Sequence, residues 1–125
     1  MHSKLSIPSV LSQITQVYSP KLVANLNKEY DVKVSKFEGP FIWHSHPDTD
    51  EFFYVLNGNL TIEIEGEKGV EEVVLGQGEL FVALRSVRHR PVGKGEILLI
   101  EKCGVVNTGD AEKSNMTKDV EDVRA

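Results

Sequence analysis

Two histidines set two residues apart, His44 and His46, and the acids that follow them, Asp48, Asp50 and Glu51, are the residues whose types and spacing could do chemistry. In an extended chain residues i and i+2 leave the same face, so both imidazoles could reach one metal ion. On a helix the same pair would diverge by about 200°. Strand parity groups Glu51 with Phe53 and Val55, and Asp50 with Phe52, Tyr54 and Leu56. Both groups are apolar further along, so parity alone does not say which face is inside. Glu51 has the longer reach and begins the strand, which makes it the expected ligand ahead of Asp50 and Asp48. The chain has four histidines. His2 sits in a terminus, usually mobile, and this leaves His89 as the candidate for a third imidazole. Three neutral nitrogens and one anionic oxygen suit Fe, Mn, Co, Ni, Cu or Zn better than calcium or magnesium. Such a set also leaves coordination positions open, as catalytic sites do and structural ones do not.

The elements that must position these residues read as strands. Tyr30, Val32 and Val34 alternate with Asp31, Lys33 and Ser35, the pattern of a half-buried strand. Glu38-Gly39-Pro40 punctuates it, and Phe41 to His44 resumes extended structure. The turn Pro47-Asp48-Thr49-Asp50 precedes strands over Glu51–Leu56 and Leu60–Glu65, with the hairpin signal Asn57-Gly58 between them. Glycine turns at 66–69, 76–78 and 93–95 separate further strands, the last ending near Glu101. About eight short strands at near-even spacing predict an all-β sandwich or barrel. One helix is expected, from Pro8 to about Tyr18, with Val10, Leu11, Ile14 and Val17 on its apolar stripe, Ser6 or Ser9 as cap and Pro20 as its limit. The expected division is a helical segment over 1–27, the barrel over 28–106 and a polar tail over 107–125, which is either a packed arm or disordered.

Composition narrows the function classes. The 125 residues suit one domain. A net charge of −5 argues against nucleic acid or an anionic membrane as partner. No apolar run approaches the roughly 20 residues of a membrane helix, and the N-terminus lacks the apolar core of a secretion signal. The single cysteine, Cys103, excludes an intramolecular disulfide or a cysteine cluster for zinc. A cytoplasmic protein is expected, with Cys103 as a small buried hydrophobe.

The stretch Gly39-x4-His44-x-His46-x4-Glu51-x6-Gly58 resembles the first motif of the cupin superfamily, one residue short after the first glycine. Gly78-x5-Leu84-x-Ser86-x2-His89-x3-Gly93 resembles the second, with Leu84, Ser86 and Gly93 in place of the usual proline, glycine and asparagine. None of these departures is a ligand, but the loss of glycine at Ser86 puts the loop's shape in question. The resemblance is greatest to small single-domain cupins of the mannose-6-phosphate isomerase-like type. It implies a double-stranded β-helix (a jelly-roll-like barrel), one divalent transition metal on His44, His46, Glu51 and His89, and a homodimer. If Glu51 points inward, Phe52, Tyr54 and Leu56 form an outward apolar row that needs cover from the helix, the tail or a partner subunit.

Arg88 and Arg90 fall on the face opposite His89 and read as solvated or salt-bridged residues, whereas Arg85, in the preceding loop, is a candidate clamp for an anionic substrate. Phe41 and Trp43 read as core or rim packing, or as the floor of a ligand pocket. Glu38, Asp48 and Asp50 read as surface acids. The expected function is a metal-dependent reaction on a small polar molecule inside the barrel, of dioxygenase or isomerase type; the alternative is a non-catalytic small-molecule or sugar-binding module with a structural metal. No residue is marked as the catalytic base, and fold does not separate these readings.

Overall fold

The computed structural model describes residues 3–124, so His2 lies outside the described residues. The chain is all-β with one short helix: α1 (Ile7–Gln13), β1 (Lys21–Leu26), β2 (Tyr30–Pro40), β3 (Glu51–Gly66), β4 (Gly69–Leu75), β5 (Leu80–Ala83), β6 (His89–Lys102) and β7 (Glu121–Asp122). The strands form a single sheet in the order β4-β3-β6-β2-β1-β7, with β5 paired to the first half of β3. Its hydrogen bonding does not close into a ring. Among the described residues no helix is long and apolar enough to cross a membrane.

Three strands are longer than the sequence suggests. Asn57-Gly58 is not a hairpin, because β3 runs through it for 16 residues. Gly93-Lys94-Gly95 is not a turn either, because β6 continues for 14, and β2 passes through Gly39 to Pro40. The hairpin signal fails because β3 stays paired with β6 through this point and the two backbones approach closely there. Gly58 has φ +91, and a Cβ on it would meet the carbonyl oxygen of Lys94 and lie 2.7 Å from the Cα of Gly95. Here glycine serves close approach rather than chain reversal. A bulge between Val55 and Asn57 accompanies this close approach. The extra residue changes parity: Glu51, Phe53 and Val55 point inward before it, Leu60 and Ile62 after it.

The inner face packs Phe37, Phe53, Val55, Leu60, Ile62, Leu75, Ala83, Ile97 and Leu99 into one core. On β2 both faces are buried at the strand's centre, where the alternation suggests one buried and one wet face. Lys33, Ser35 and Phe37 point inside, while Val32 and Val34 turn to the outer face and pack beneath α1 with Leu11, Ile14, Leu56 and Leu98. The helix is capped by Ser6 and ends five residues before Tyr18, because Ile14 is already extended and buried in this second cluster. Val17, expected on the stripe, is exposed. Tyr18 takes a left-handed φ of 56, which turns its ring back to stack on Phe41 at 4.5 Å between centroids. The segment before residue 28 also supplies β1, and the segment after 106 returns as β7, parallel to β1. Cys103 is exposed rather than buried: it lies in the turn beyond β6, where its Sγ is 3.6 Å from the carbonyl of Lys28.

Candidate metal centre

His44 and His89 face each other as a two-way hydrogen-bonded pair, with N–H to carbonyl distances of 3.0 and 2.8 Å. Between Phe41 and the start of β3 at Glu51 this is the one strand bridge, and it sets the two imidazoles 4.6 Å apart between ring centroids. His46 enters from the loop, where its carbonyl accepts the N–H of Ser86 at 2.9 Å. Ser86 adopts φ +66, so the loop keeps its left-handed backbone without a glycine. Glu51 opens β3, paired with Ala83. One ligand atom from each of His44, His46, Glu51 and His89 can be chosen so that all lie within 4.8 Å of one another, and all four residues are buried. The expected four-residue set is therefore brought together, with Glu51 rather than the exposed Asp50 as its acid.

The tautomers are prepared for a cation. Nδ1 of His44 lies 2.9 Å from the carbonyl of Ile42, and Nδ1 of His89 lies 2.9 Å from that of Val87. Each Nδ1 then carries the proton and leaves Nε2 free as a ligand, the arrangement usual in metal sites. Nε2 of His46 is buried with no aligned hydrogen-bond partner; Oε1 of Glu51 is 3.4 Å away but off line. A buried polar atom without a partner costs about 1–3 kcal/mol, and a metal ion would remove that cost. The donor set thus fits a divalent transition metal.

The protonation pattern follows from burial and from Glu51. Burial, then the neighbouring His89, lowers His44 to about 4. For His46 and His89 burial is the largest single influence and pulls downward, but the Glu51 carboxylate outweighs it and holds both above the usual histidine value. Burial likewise pushes Glu51 upward, and the two imidazoles more than reverse it, leaving Glu51 below the ordinary carboxylate range.

A feature that the sequence reading missed lies beside the cluster. Lys33 Nζ and Glu101 Oε1 are 3.0 Å apart, and both side chains are 2% exposed. The second oxygen of Glu101 has no hydrogen bond and sits 3.8 Å from Nε2 of His46. Burial, followed by the charge of Glu51, raises Glu101 to about 8 against the opposing pull of Lys33. Parity could have found this pair, since Glu101 follows Ile97 and Leu99 at strand spacing and Lys33 shares a face with Phe37.

Lys33, His44, Glu51 and Glu101 are among the residues that line a cavity of about 50 Å³, open on one side to solvent. Its walls are largely hydrocarbon, from Phe37, Phe41, Phe53, Pro91, Ile97 and Leu99. Burial pushes the phenol of Tyr18 up to about 12, and its hydroxyl donates to the Gly39 carbonyl at 2.6 Å. Arg85 is not brought to this cavity. It is exposed, its N–H donates to Asp50 at 2.8 Å, and it lines a separate concavity with Phe52 and Val82. Arg90 and Arg88 pair with Glu63 and Glu65 at 2.7 and 3.1 Å and flank the ring of Trp43, so Trp43 belongs to the outer surface and Phe41 to the cavity.

The chain after residue 106 helps to hold the cluster. Asp110 accepts from the N–H of Ser45 at 2.7 Å and from its hydroxyl at 2.9 Å, and the N–H of Asp110 donates to the Ser45 carbonyl at 3.0 Å. Ser45 lies between His44 and His46, so this clasp sets the spacing of two imidazoles. Outer groups of this kind typically affect metal affinity by about 10–100-fold. Asp110→Ala is expected to weaken metal binding about tenfold in a competition titration, while Asp119→Ala leaves it unchanged.

Residues 30–101 match the family model for the cupin domain. An uncharacterised protein of Bacillus subtilis, YdbB, is 27% identical over 90 residues, covering 72% of this chain and 76% of that protein. A cupin-2 domain protein of Shewanella frigidimarina superposes with a TM-score of 0.69 at 35% identity, covering 78% of this chain and 91% of the other. KdgF from Halomonas sp. superposes at 0.58 with 26% identity, over 66% and 76% of the two chains. These likenesses fit a double-stranded β-helix as the frame around the cluster. The chain belongs to the cupin family.

Proposed function

We propose that this cupin holds one divalent transition metal on His44, His46, Glu51 and His89 and uses it on a small molecule bound in the adjoining cavity. The observation that carries the reading is the convergence of four buried ligand atoms within 4.8 Å, one of them a histidine nitrogen with no aligned partner. A metal so held supplies Lewis acidity or O2-dependent oxidation at the positions its four ligands leave open. The chain's own residues do the rest. Phe37, Phe53 and Leu99 exclude water from the inner wall, Phe41 packs edge-on to His44 at 5.5 Å, and Glu101 offers an oxygen beside the cluster. Elemental analysis of tag-free protein is expected to give about one transition metal ion per chain. A chain that stays metal-free after incubation with Fe, Mn, Co, Ni, Cu and Zn salts would refute the reading.

We also propose that a second copy of this chain covers the outer row. The helix shields Val34, Leu56 and Leu98, but Leu80 and Val82 on β5 remain 55% and 37% exposed beside Tyr54 and Phe52. Light scattering at micromolar concentration is expected to give twice the chain mass, and Val82→Asp to give a monomer; a monomeric parent chain would sink the proposal.

A further inference from the structure

The Lys33–Glu101 pair is an anomaly that the metal cluster alone does not explain. Two charges taken out of water rarely add stability relative to apolar side chains of the same volume. One oxygen of Glu101 is left without a partner as well. Among the described residues the only buried side-chain polar atoms lacking a hydrogen bond are this oxygen and Nε2 of His46, and they lie 3.8 Å apart. Glu101 lines the cavity together with His44 and Glu51, so its unpartnered oxygen lies where the cavity meets the metal cluster.

The remaining polar groups of the cavity are already engaged. Tyr18 donates to Gly39, and Ser35 donates to the carbonyl of Lys36 at 3.2 Å. The amide of Asn107 binds the carbonyls of Tyr18 and Met116 and the N–H of Lys118. Lys33 binds Glu101 and, at 3.4 Å, the carbonyl of Val105. A polyhydroxylated ligand would leave most of its own polar atoms unpaired against hydrocarbon, at about 1–3 kcal/mol each. A phosphate would lack the free cationic donors that bind it elsewhere. With a divalent ion present, Glu51 and Lys33 leave the pocket positive whichever form Glu101 takes, which suits a neutral or monoanionic ligand.

We propose that Glu101, held in place by Lys33, is the ligand-recognition residue of this cavity: its free oxygen forms a hydrogen bond with a hydroxyl group on a molecule bound beside His46. The ligand class that follows is a small hydroxylated molecule, neutral or monoanionic, with an apolar body and its polar atoms at one end, such as a branched hydroxy acid. The inference rests on the metal reading above and narrows its substrate from a small polar molecule to this class.

The test uses the full chain loaded with Co2+, whose visible spectrum reports both metal uptake and ligand binding. Titration with 2-hydroxyisovalerate is compared with isovalerate, which has the same body without the hydroxyl, and with inorganic phosphate. The parent chain is expected to prefer the hydroxy acid to isovalerate by more than about tenfold, the scale of one hydrogen bond to a charged group. Because breaking one half of a buried pair can unfold a protein, the variant is the double replacement Lys33→Met with Glu101→Leu, which conserves volume and net charge. It is expected to take up Co2+ as the parent does and to lose most of that preference, keeping only what chelation supplies. Glu101→Gln, with the amide in the same place, is expected to keep an intermediate preference. An unchanged preference in the double variant overturns the proposal, as does tighter binding of phosphate than of the hydroxy acid, or no response of the loaded parent to the hydroxy acid. A parent chain that takes up no Co2+ refutes the metal reading instead, so the two failures are distinct.

Discussion

His89→Ala is expected to lower the metal content of the purified chain from about one ion to background. His89 is one of the four converging residues proposed as ligands and lies 3.3 Å from Glu51, so its loss would remove a nitrogen donor and a neighbour of the anionic oxygen together. Bound metal stabilises the folded state by mass action, by about 2.7 kcal/mol at a free concentration one hundred times the Kd. A chelator should therefore lower the Tm of the parent chain and leave that of His89→Ala unmoved. Arg85→Ala is the control, being exposed and outside the cavity; it should retain full occupancy. Protons compete for the same site, with a definite sign. His46 and His89 sit above the usual histidine value in the metal-free pocket because Glu51 favours their charged forms over the opposing effect of burial. Their neutral, ligating forms accumulate only as pH rises past those raised values. Metal affinity should accordingly climb through the region above about pH 6.5 and fall steadily below it. Full occupancy in His89→Ala, or an affinity flat across about pH 5 to 8, would remove the histidines from the site.

The second large effect is expected at Gly58, far from any chemistry. Gly58→Ala adds a methyl group that meets backbone atoms of Lys94 and Gly95, which cannot rotate away as a side chain could. It also places a Cβ at φ +91. Left-handed strain alone costs about 1–2 kcal/mol, and forced overlap in a close pairing adds about 1–3 more. A total near 4 kcal/mol is a large share of the roughly 5–15 kcal/mol that holds a domain together. The variant should melt more than about 10 °C lower, or fail to accumulate in soluble form. Gly78→Ala separates the two terms, because Gly78 has φ +82 but open space where the Cβ would go. Its cost should stay near the strain alone. If both variants melt together, the close pairing of β3 with β6 does not need glycine.

The same stretch shows where local sequence signals stop. Asn57-Gly58 carries the strongest short-range pattern for a hairpin, yet β3 passes straight through it. A turn preference reports only what four residues can do alone, whereas the ladder to β6 pairs residues some forty positions apart. Long-range pairing prevails when glycine is equally able to serve a bulge. The helix was overestimated for a related reason. Ile14 fits the helical stripe by spacing and Tyr18 marks the helix's expected end, but burying Ile14 in the outer cluster and stacking Tyr18 on Phe41 require extended and left-handed backbone.

What the sequence determined by itself was the all-β class and the residues that could meet at one point. His44 and His46 at strand spacing, an acid at the start of the next strand and a lone histidine on a later one were legible because ligand chemistry admits few residue types, and because parity groups them. Parity is silent, however, about which of two faces is inside. On β3 the inward choice of Glu51 followed once the four ligands converged. On β2 the alternation of Tyr30, Val32 and Val34 reads as a half-buried strand, but both faces are buried, because an outer row covered by α1 looks the same in sequence as an inner one. Only the tertiary structure decided that Lys33 points inward to meet Glu101 from β6, 68 residues away, with both side chains 2% exposed. The physical reason is that burial of a charge depends on the partner that compensates it, and that partner is supplied by sheet pairing rather than by neighbours in the chain.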